Sequence, residues 1–162
     1  MKMILTGDVN LMNVTDPAVP FSLAQNEFRA VDIIFCNLEC CLYQPPRGHS
    51  IEHEGFYADP LLAGEALKSA GIHVVGIANN VNYGEAAITA SIERLDQLGI
   101  PHTGAGMNAA AARAPIIVPR AGIDRRAADL AHVAEHVLVQ APMAGGNHDV
   151  GACAQFCNVV SE

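Results

Sequence analysis

Short apolar runs alternate with helical patterns along the first 120 residues of the chain. Four runs are rich in aliphatic residues and Phe, as is typical of buried parallel strands: residues 2–6, 32–38, 73–78 and 115–118. Three segments between them carry helical patterns: residues 21–30, 60–70 and 85–98. Helix boundaries are marked by Pro60, near the first turn of the second segment, by Gly71, just past its end, and by Gly99, just past the end of the third segment. The alternation predicts an α/β fold with a mainly parallel sheet and helices on its faces.

Two parts of the chain depart from this alternation. Residues 43–55 form the longest irregular stretch, with two prolines and two histidines, and loops of that length are often functional. Past residue 121 we predict a helical segment near 124–131, an apolar run at 137–141 and a Gly-rich tail. A chain of 162 residues, 51% of them hydrophobic, can bury one sizeable core, so we expect a single domain.

The charge balance narrows the class of partner. Nine Lys and Arg against 17 Asp and Glu argue against nucleic acid or an anionic membrane surface. The amino terminus runs into a strand without the apolar region of a signal peptide, and no run reaches the roughly 18 to 20 apolar residues of a membrane span. We therefore expect a soluble, cytoplasmic protein with a small-molecule, metal or protein partner. Its five cysteines, an odd number, predict reduced thiols.

Polar residues stand where three of the predicted strands end. Asp8 follows the first strand, Asn37 and Glu39 end the second, and Asn79 and Asn80 follow the third. Because carboxyl ends of parallel strands open on one edge of a sheet, we expect these side chains to converge. Their oxygens suit Mn²⁺ or Mg²⁺ or, with a histidine added, Zn²⁺ or Fe. The alternative is that Asp and Asn here merely form turns by bonding their own backbone.

Five motifs occur along the chain in a characteristic order. They are Gly7–Val9, Asp32–Glu39, Ala78–Asn80, Tyr83–Glu85 and Gly99–Gly106. Over about residues 3–122, their order and spacing resemble the capsule-synthesis (CapA, poly-γ-glutamate synthesis) family. The resemblance implies a calcineurin-like metallophosphoesterase fold of the four-layer type, here incomplete. It also implies that Asp8, Glu39 and Asn80 are metal ligands, that Asn79 is the turn partner of Asn80, and that the substrate is a small molecule or polymer.

The chain departs from the family pattern around these motifs. Val81 stands where a histidine usually follows the two asparagines, and a valine cannot serve as general acid or anion contact. Asn10 and Asn13 stand where Met and Arg are common, which removes an expected cation for an anionic substrate. These departures indicate a divergent member of the family.

The tail resembles a late block of the same family. By this resemblance His136 occupies the position of the last histidine in a histidine-rich turn of the family, which makes it a further candidate metal ligand. The family usually has another histidine two residues earlier, where this chain has Ala134. A family stretch between residue 122 and this block is missing. The resemblance thus implies one domain over 1–162, well matched over 1–122 and divergent or internally deleted over 123–162.

Four other motifs each have a functional and a structural interpretation. His132–His136 fits the H-x-x-E-H zinc pattern, but a solvated helix face also accounts for it. Gly146–Asp149 spells the G-N-H-D of metallophosphoesterases, which makes His148 a candidate catalytic residue, although the preceding Pro and Gly favour a turn. Residues 104–109 fit G-x-G-x-x-A, for which we prefer a tight turn. Residues 153–157 hold two cysteines that fit either a zinc corner or buried thiols.

Three functional hypotheses follow. In the first, the protein is a metal-dependent, phosphoesterase-like hydrolase in which Asp8, Glu39, Asn80 and His136 hold one or two ions that activate water. In the second, which Val81 favours, it is a noncatalytic relative that serves in polymer assembly or a protein complex. In the third, it is an α/β domain without retained chemistry, and the exposed edge of an incomplete sheet favours homo-oligomers.

Overall fold

The computed structural model of the chain describes residues 2–46, 56–82, 84–119, 136–140 and 158–161. In these ranges the strands are β1 (Met3–Val9), β2 (Ile33–Leu38), β3 (Cys41–Leu42), β4 (Tyr57–Ala58), β5 (Val74–Gly76), β6 (His102–Thr103), β7 (Ile116–Pro119), β8 (His136–Gln140) and β9 (Asn158–Ser161). The helices in the same ranges are α1 (Gln25–Arg29), α2 (Pro60–Ser69), α3 (Glu85–Leu98) and α4 (Ala109–Ala112).

Four strands form a parallel sheet in the order β1-β2-β5-β6. The register places Asp8 opposite Asn37, and Asn37 in turn opposite Gly76. Because the four strands run in one direction, their carboxyl ends lie along a common edge. The prediction of an α/β fold with a mainly parallel sheet is confirmed, and the architecture is consistent with the metallophosphoesterase-like fold.

Helices α2 and α3 cover one face of this sheet. On β2, Ile34, Cys36 and Leu38 belong to the same buried cluster as Leu67 of α2 and Leu95 of α3. Alternate residues of a strand point to opposite faces, so these three side chains share the helical side. The burial of both faces explains why β2 reads in the sequence as a continuous apolar run.

The opposite face of the sheet is covered by β7. Ile33, Phe35 and Val74 form a second cluster, against which Ile116 and Val118 pack. We predicted residues 115–118 as another parallel strand, and this was wrong, because β7 pairs antiparallel with β8, which pairs antiparallel with β9. A short apolar run indicates burial but does not encode the direction of its pairing partner.

Local capping sets the ends of α2 and α3 where the sequence predicted them. The Asp59 Oδ1 atom accepts hydrogen bonds from the backbone N–H groups of Leu61 and Leu62, at 2.8 and 3.0 Å. Gly99 closes α3 in the left-handed conformation, with φ of 67°.

The helix predicted over 21–30 is shorter than expected. α1 begins only at Gln25, because residues 21–24 form tight turns in which Ser22 bonds Val19 and Ala24 bonds Phe21 through the backbone. These bonds span three residues rather than four, so the chain has not yet entered the α-helix.

The C-terminal predictions are only partly covered by the described residues. The apolar run at 137–141 corresponds to β8. The helical segment near 124–131 lies outside the described residues, as do 146–149, 153–157 and loop residues 47–55.

Two sequence expectations concern cysteines and membranes. Cys36, Cys40 and Cys41 are buried and reduced, in agreement with the thiol state expected for these three. Within the described ranges, no helix has the length and apolar character needed to cross a membrane.

Candidate functional site

Asp8 and Asn37 meet at the carboxyl edge of the parallel sheet. They are register partners on β1 and β2, and the Asn37 Nδ2 atom donates a hydrogen bond of 2.6 Å to Asp8 Oδ1. The regular pairing of β1 is interrupted between Leu5 and Asp8, so Asp8 follows an irregularity in the strand. Asp8 is exposed and Asn37 is half-buried. The predicted convergence of strand-end side chains therefore holds for this pair.

Asn79 joins this pair from the turn that follows β5. Its side chain is only 2% exposed. Its Nδ2 atom donates to the Leu38 carbonyl at 2.9 Å and to Asn37 Oδ1 at 3.3 Å. Its Oδ1 atom accepts from the backbone N–H groups of Val81 and Asn82, at 3.2 and 3.0 Å. Asn79 is thus buried and links the turn to β2 by hydrogen bonds, in agreement with its predicted role as a turn residue.

Asn82 supports the same turn and was not singled out as a site residue from the sequence. It is 3% exposed, and its Nδ2 atom donates to the carbonyls of Leu38 and Ile77 at 2.8 and 3.3 Å. Its Oδ1 atom accepts from the Cys41 thiol at 3.7 Å. The signal that could have indicated it is the third asparagine within four residues, since asparagine side chains commonly hydrogen-bond nearby backbone in turns.

Asn80 is exposed, whereas its neighbour Asn79 is buried, so the two amides have different environments in the same turn. Glu39 lies just past β2, half-buried, with its backbone N–H bonded to the Val9 carbonyl at 2.9 Å. Partial loss of hydration raises the pKa of Glu39, and the negative charge of Asp8 raises it further. The two carboxylates are therefore close enough to repel each other.

The donor set at this edge fits a hard divalent cation. Asp8 and Glu39 supply carboxylate oxygens, and a cation would relieve the effect of the Asp8 charge on Glu39. Asn80 follows the buried Asn79 in the turn after β5 and carries an exposed amide. Among the described residues, no group of three or more His, Cys, Asp or Glu side chains could hold a metal ion. A cation here would therefore need amide or water oxygens beside the two carboxylates, which is a coordination typical of Mg²⁺ or Mn²⁺.

Of the two histidines proposed for this site, only His136 lies within the described residues. His136 begins β8 opposite Pro119, in the antiparallel sheet, and only its backbone is described. His148 lies outside the described residues. Their roles as metal ligand and catalytic residue stay predictions. Of the H-x-x-E-H motif, only His136 lies within the described residues, where it begins a strand, and the other four positions lie outside them.

Two residues that depart from the family pattern have local roles in the turn after β1. The Asn10 Oδ1 atom accepts a hydrogen bond of 2.9 Å from the Met12 backbone N–H. Asn13 adopts a left-handed conformation with φ of 59°, which asparagine tolerates better than most residues. Both asparagines are therefore suited to the turn that follows β1.

The G-x-G-x-x-A motif forms a packed turn, as preferred from the sequence. Gly104 has φ of 98°, and a Cβ atom there would lie 2.7 Å from the Ala78 backbone nitrogen. A Cβ atom on Gly106 would lie 2.7 Å from the Ala111 Cβ. Close packing against these neighbours accounts for both glycines without a bound dinucleotide.

A cavity of about 290 Å³ lies near the amino ends of β2 and β5. Its lining includes Phe28, Arg29, Ser69 and His73, and none of the predicted site residues. It lies at the opposite end of these strands from Asp8 and Asn37.

Comparison with known proteins gives one family. Residues 2–148 match the family model of the bacterial capsule synthesis protein PGA_cap. A search of curated proteins gave no match.

Proposed function

The chain belongs to the bacterial capsule synthesis protein family, and on that premise we propose that Asp8, Glu39 and Asn80 bind a divalent cation for metal-dependent hydrolysis. The family membership supports a place in capsule or poly-γ-glutamate synthesis. The substrate class that fits this proposal is a polymer, or a small precursor of one, with a phosphoester or amide bond.

One observation carries the metal proposal. Asp8 and Glu39, from neighbouring strands, lie close enough at one sheet edge for the charge of Asp8 to raise the pKa of Glu39. A carboxylate whose charged form is disfavoured by a neighbouring negative charge is costly to ionise unless a positive group lies close to it. A bound cation would supply that charge and, as a Lewis acid, would activate water near neutral pH.

The surrounding residues have separate tasks in this proposal. Asp8 and Glu39 bind the cation through carboxylate oxygens, and the exposed amide of Asn80 completes their side of the coordination. Asn79 cannot take part, because its buried amide is committed to Leu38, Asn37, Val81 and Asn82. His136 remains a further candidate ligand.

Metal content tests the proposal directly. Protein purified without chelator should contain near-stoichiometric Mn, Fe, Zn or Mg by inductively coupled plasma mass spectrometry, and Asp8→Ala and Asn80→Ala should lose it. Glu93→Ala, which removes an exposed carboxylate on α3, is the matched control and should keep the metal. Absence of metal from the wild type, both as purified and after incubation with Mn²⁺, would rule out this site.

A noncatalytic role in assembly is the second candidate, and Val81 favours it. Val81 is half-buried, its backbone N–H is bonded to Asn79, and its side chain has no group that can transfer a proton. A metal-loaded protein that binds the cation but hydrolyses no phosphoester or peptide substrate would support this role. Turnover that Asp8→Asn abolishes in a folded protein would support the hydrolase.

A further inference from the structure

We propose that Asn37 is a positioning residue whose amide, locked by the buried Asn79, holds Asp8 in the orientation that binds the cation. This inference rests on the proposed metal site, and it assigns a function to two residues that are not themselves ligands. A chain of side-chain hydrogen bonds runs from Asn79 through Asn37 to Asp8.

The first step is the bond between Asn37 and Asp8. At 2.6 Å from Nδ2 to Oδ1, it joins an amide donor to a carboxylate, which is stronger than a bond between neutral groups. It occupies one oxygen of Asp8 and fixes the rotation of the carboxylate. The second oxygen is thereby left to face a cation at the exposed edge.

The second step concerns which way the Asn37 amide points. Asn37 has a donor on one side and an acceptor on the other, and a half-turn would exchange them. After that half-turn, its oxygen would face the carboxylate of Asp8 and its NH₂ group would face the NH₂ group of Asn79. Both contacts would then be repulsive, so Asn79 and Asp8 select the same orientation.

The third step is the anchoring of Asn79 itself. Its NH₂ group also bonds the Leu38 carbonyl, and its oxygen receives two backbone N–H groups. With its side chain only 2% exposed, Asn79 cannot contact a cation at the surface. Part of its influence on the cation therefore passes through Asn37 and Asp8, as is usual for residues that orient metal ligands, and is separate from its effect on the turn that carries Asn80.

A double-mutant cycle with Mn²⁺ titrations tests the proposal. We expect Asn37→Ala and Asn79→Ala each to weaken Mn²⁺ binding by about 10-fold, and the double variant to be little weaker than either, because both break one chain of bonds. Asn82→Ala is the matched control. It also removes a buried amide bonded to Leu38, but this amide does not contact Asn37 or Asp8, so its Mn²⁺ affinity should stay near that of the wild type.

The same cycle can overturn the proposal. Wild-type affinity in a folded Asn37→Ala variant would do so, as would losses that simply add in the double variant. An equal loss in Asn82→Ala would also count against it, because it would reflect damage to the turn as a whole.

A measurement on metal-free protein separates this inference from the metal site. The side-chain NH₂ resonances of Asn37, followed by ¹⁵N NMR, should show slow exchange in the wild type, and both Asp8→Ala and Asn79→Ala should shift them and speed their exchange. Resonances that neither substitution changes would overturn the inference even if Mn²⁺ binds. If the wild type fails to bind Mn²⁺ while these resonances respond as expected, the metal proposal fails and Asn37 still positions Asp8.

Discussion

The Nδ2 atom of Asn79 lies 2.9 Å from the carbonyl oxygen of Leu38, a residue 41 positions earlier in the chain. This bond ties the turn after β5 to the end of β2. The neighbouring Asn80 is exposed. Two adjacent and identical residues therefore have opposite environments, which allows a matched comparison.

We predict that Asn79→Ala destabilises the protein far more than Asn80→Ala. The first substitution leaves the Val81 and Asn82 N–H groups without their acceptor, and we expect a loss of about 2–3 kcal/mol in the free energy of unfolding. The second changes an exposed side chain and should cost less than about 0.5 kcal/mol. Urea denaturation of both variants measures the difference. Similar midpoints would contradict the buried position of Asn79.

Substitutions at Gly104 and Gly7 provide a second matched comparison. An alanine at 104 would have to adopt φ of 98° and would press its Cβ against the Ala78 backbone, whereas a Cβ at Gly7 has no neighbour within 4 Å. We expect Gly104→Ala to cost about 2–4 kcal/mol and Gly7→Ala less than about 1 kcal/mol. Thermal unfolding followed by circular dichroism would show this difference. A Gly104→Ala variant as stable as the wild type would mean that this turn is not so tightly packed.

The pKa of Glu39 should respond to the charge of Asp8. We expect Asp8→Asn to lower the pKa of Glu39 toward 4.5 without reaching it, because loss of hydration is the larger cause of the shift and persists in the variant. An NMR titration of the Glu39 side-chain carbonyl carbon measures this. An unchanged pKa would show that the carboxylates do not interact.

The raised pKa of Glu39 also predicts how the free energy of unfolding changes with pH. A carboxyl group whose pKa is raised by folding favours the native state most below pH 4.5, and this contribution is lost as the pH rises through the native pKa. In Asp8→Asn this loss should be smaller. Urea midpoints at several pH values, compared with the wild type, test the sign. Glu93→Ala should follow the wild type.

Two buried thiols should be unreactive in the native protein. Burial raises the pKa of Cys36 and Cys40 from 9.0 to about 12, so very little thiolate is present at pH 8. We expect iodoacetamide to modify both cysteines in urea and neither under native conditions, as mapped by mass spectrometry of the peptide that contains them. Rapid native labelling would contradict their burial.

These thiols also predict a loss of stability in alkali. Because the unfolded chain releases their protons near pH 9.0 and the native protein only near pH 12, the free energy of unfolding should fall over that interval. Cys36→Ala should reduce the slope of this fall, measured as urea midpoints between pH 8 and 11. An unchanged slope would argue against a raised pKa.

Part of this structure followed from short-range signals in the sequence. Asp59 and Pro60 begin α2, and Gly99 ends α3, through contacts within a few residues, so the sequence determined these boundaries by itself. It also placed Asp8 and Asn37 on strands that proved to be neighbours, because alternating strands and helices restrict a chain to few topologies.

Other features were decided only by tertiary contacts. The residue types around Asn79 and Asn80 do not indicate which of the two is buried. Asn79 is buried because the end of β2 supplies an acceptor for its amide from 41 positions away in the chain. Likewise, the antiparallel pairing of β7 depends on β8, which lies some distance along the chain. Local sequence patterns predicted β1, β2, β5, α2 and α3, and the types of polar side chain at the sheet edge. Which of those side chains became buried supports and which remained exposed depends on contacts between residues distant in the chain, and these form only when the chain folds.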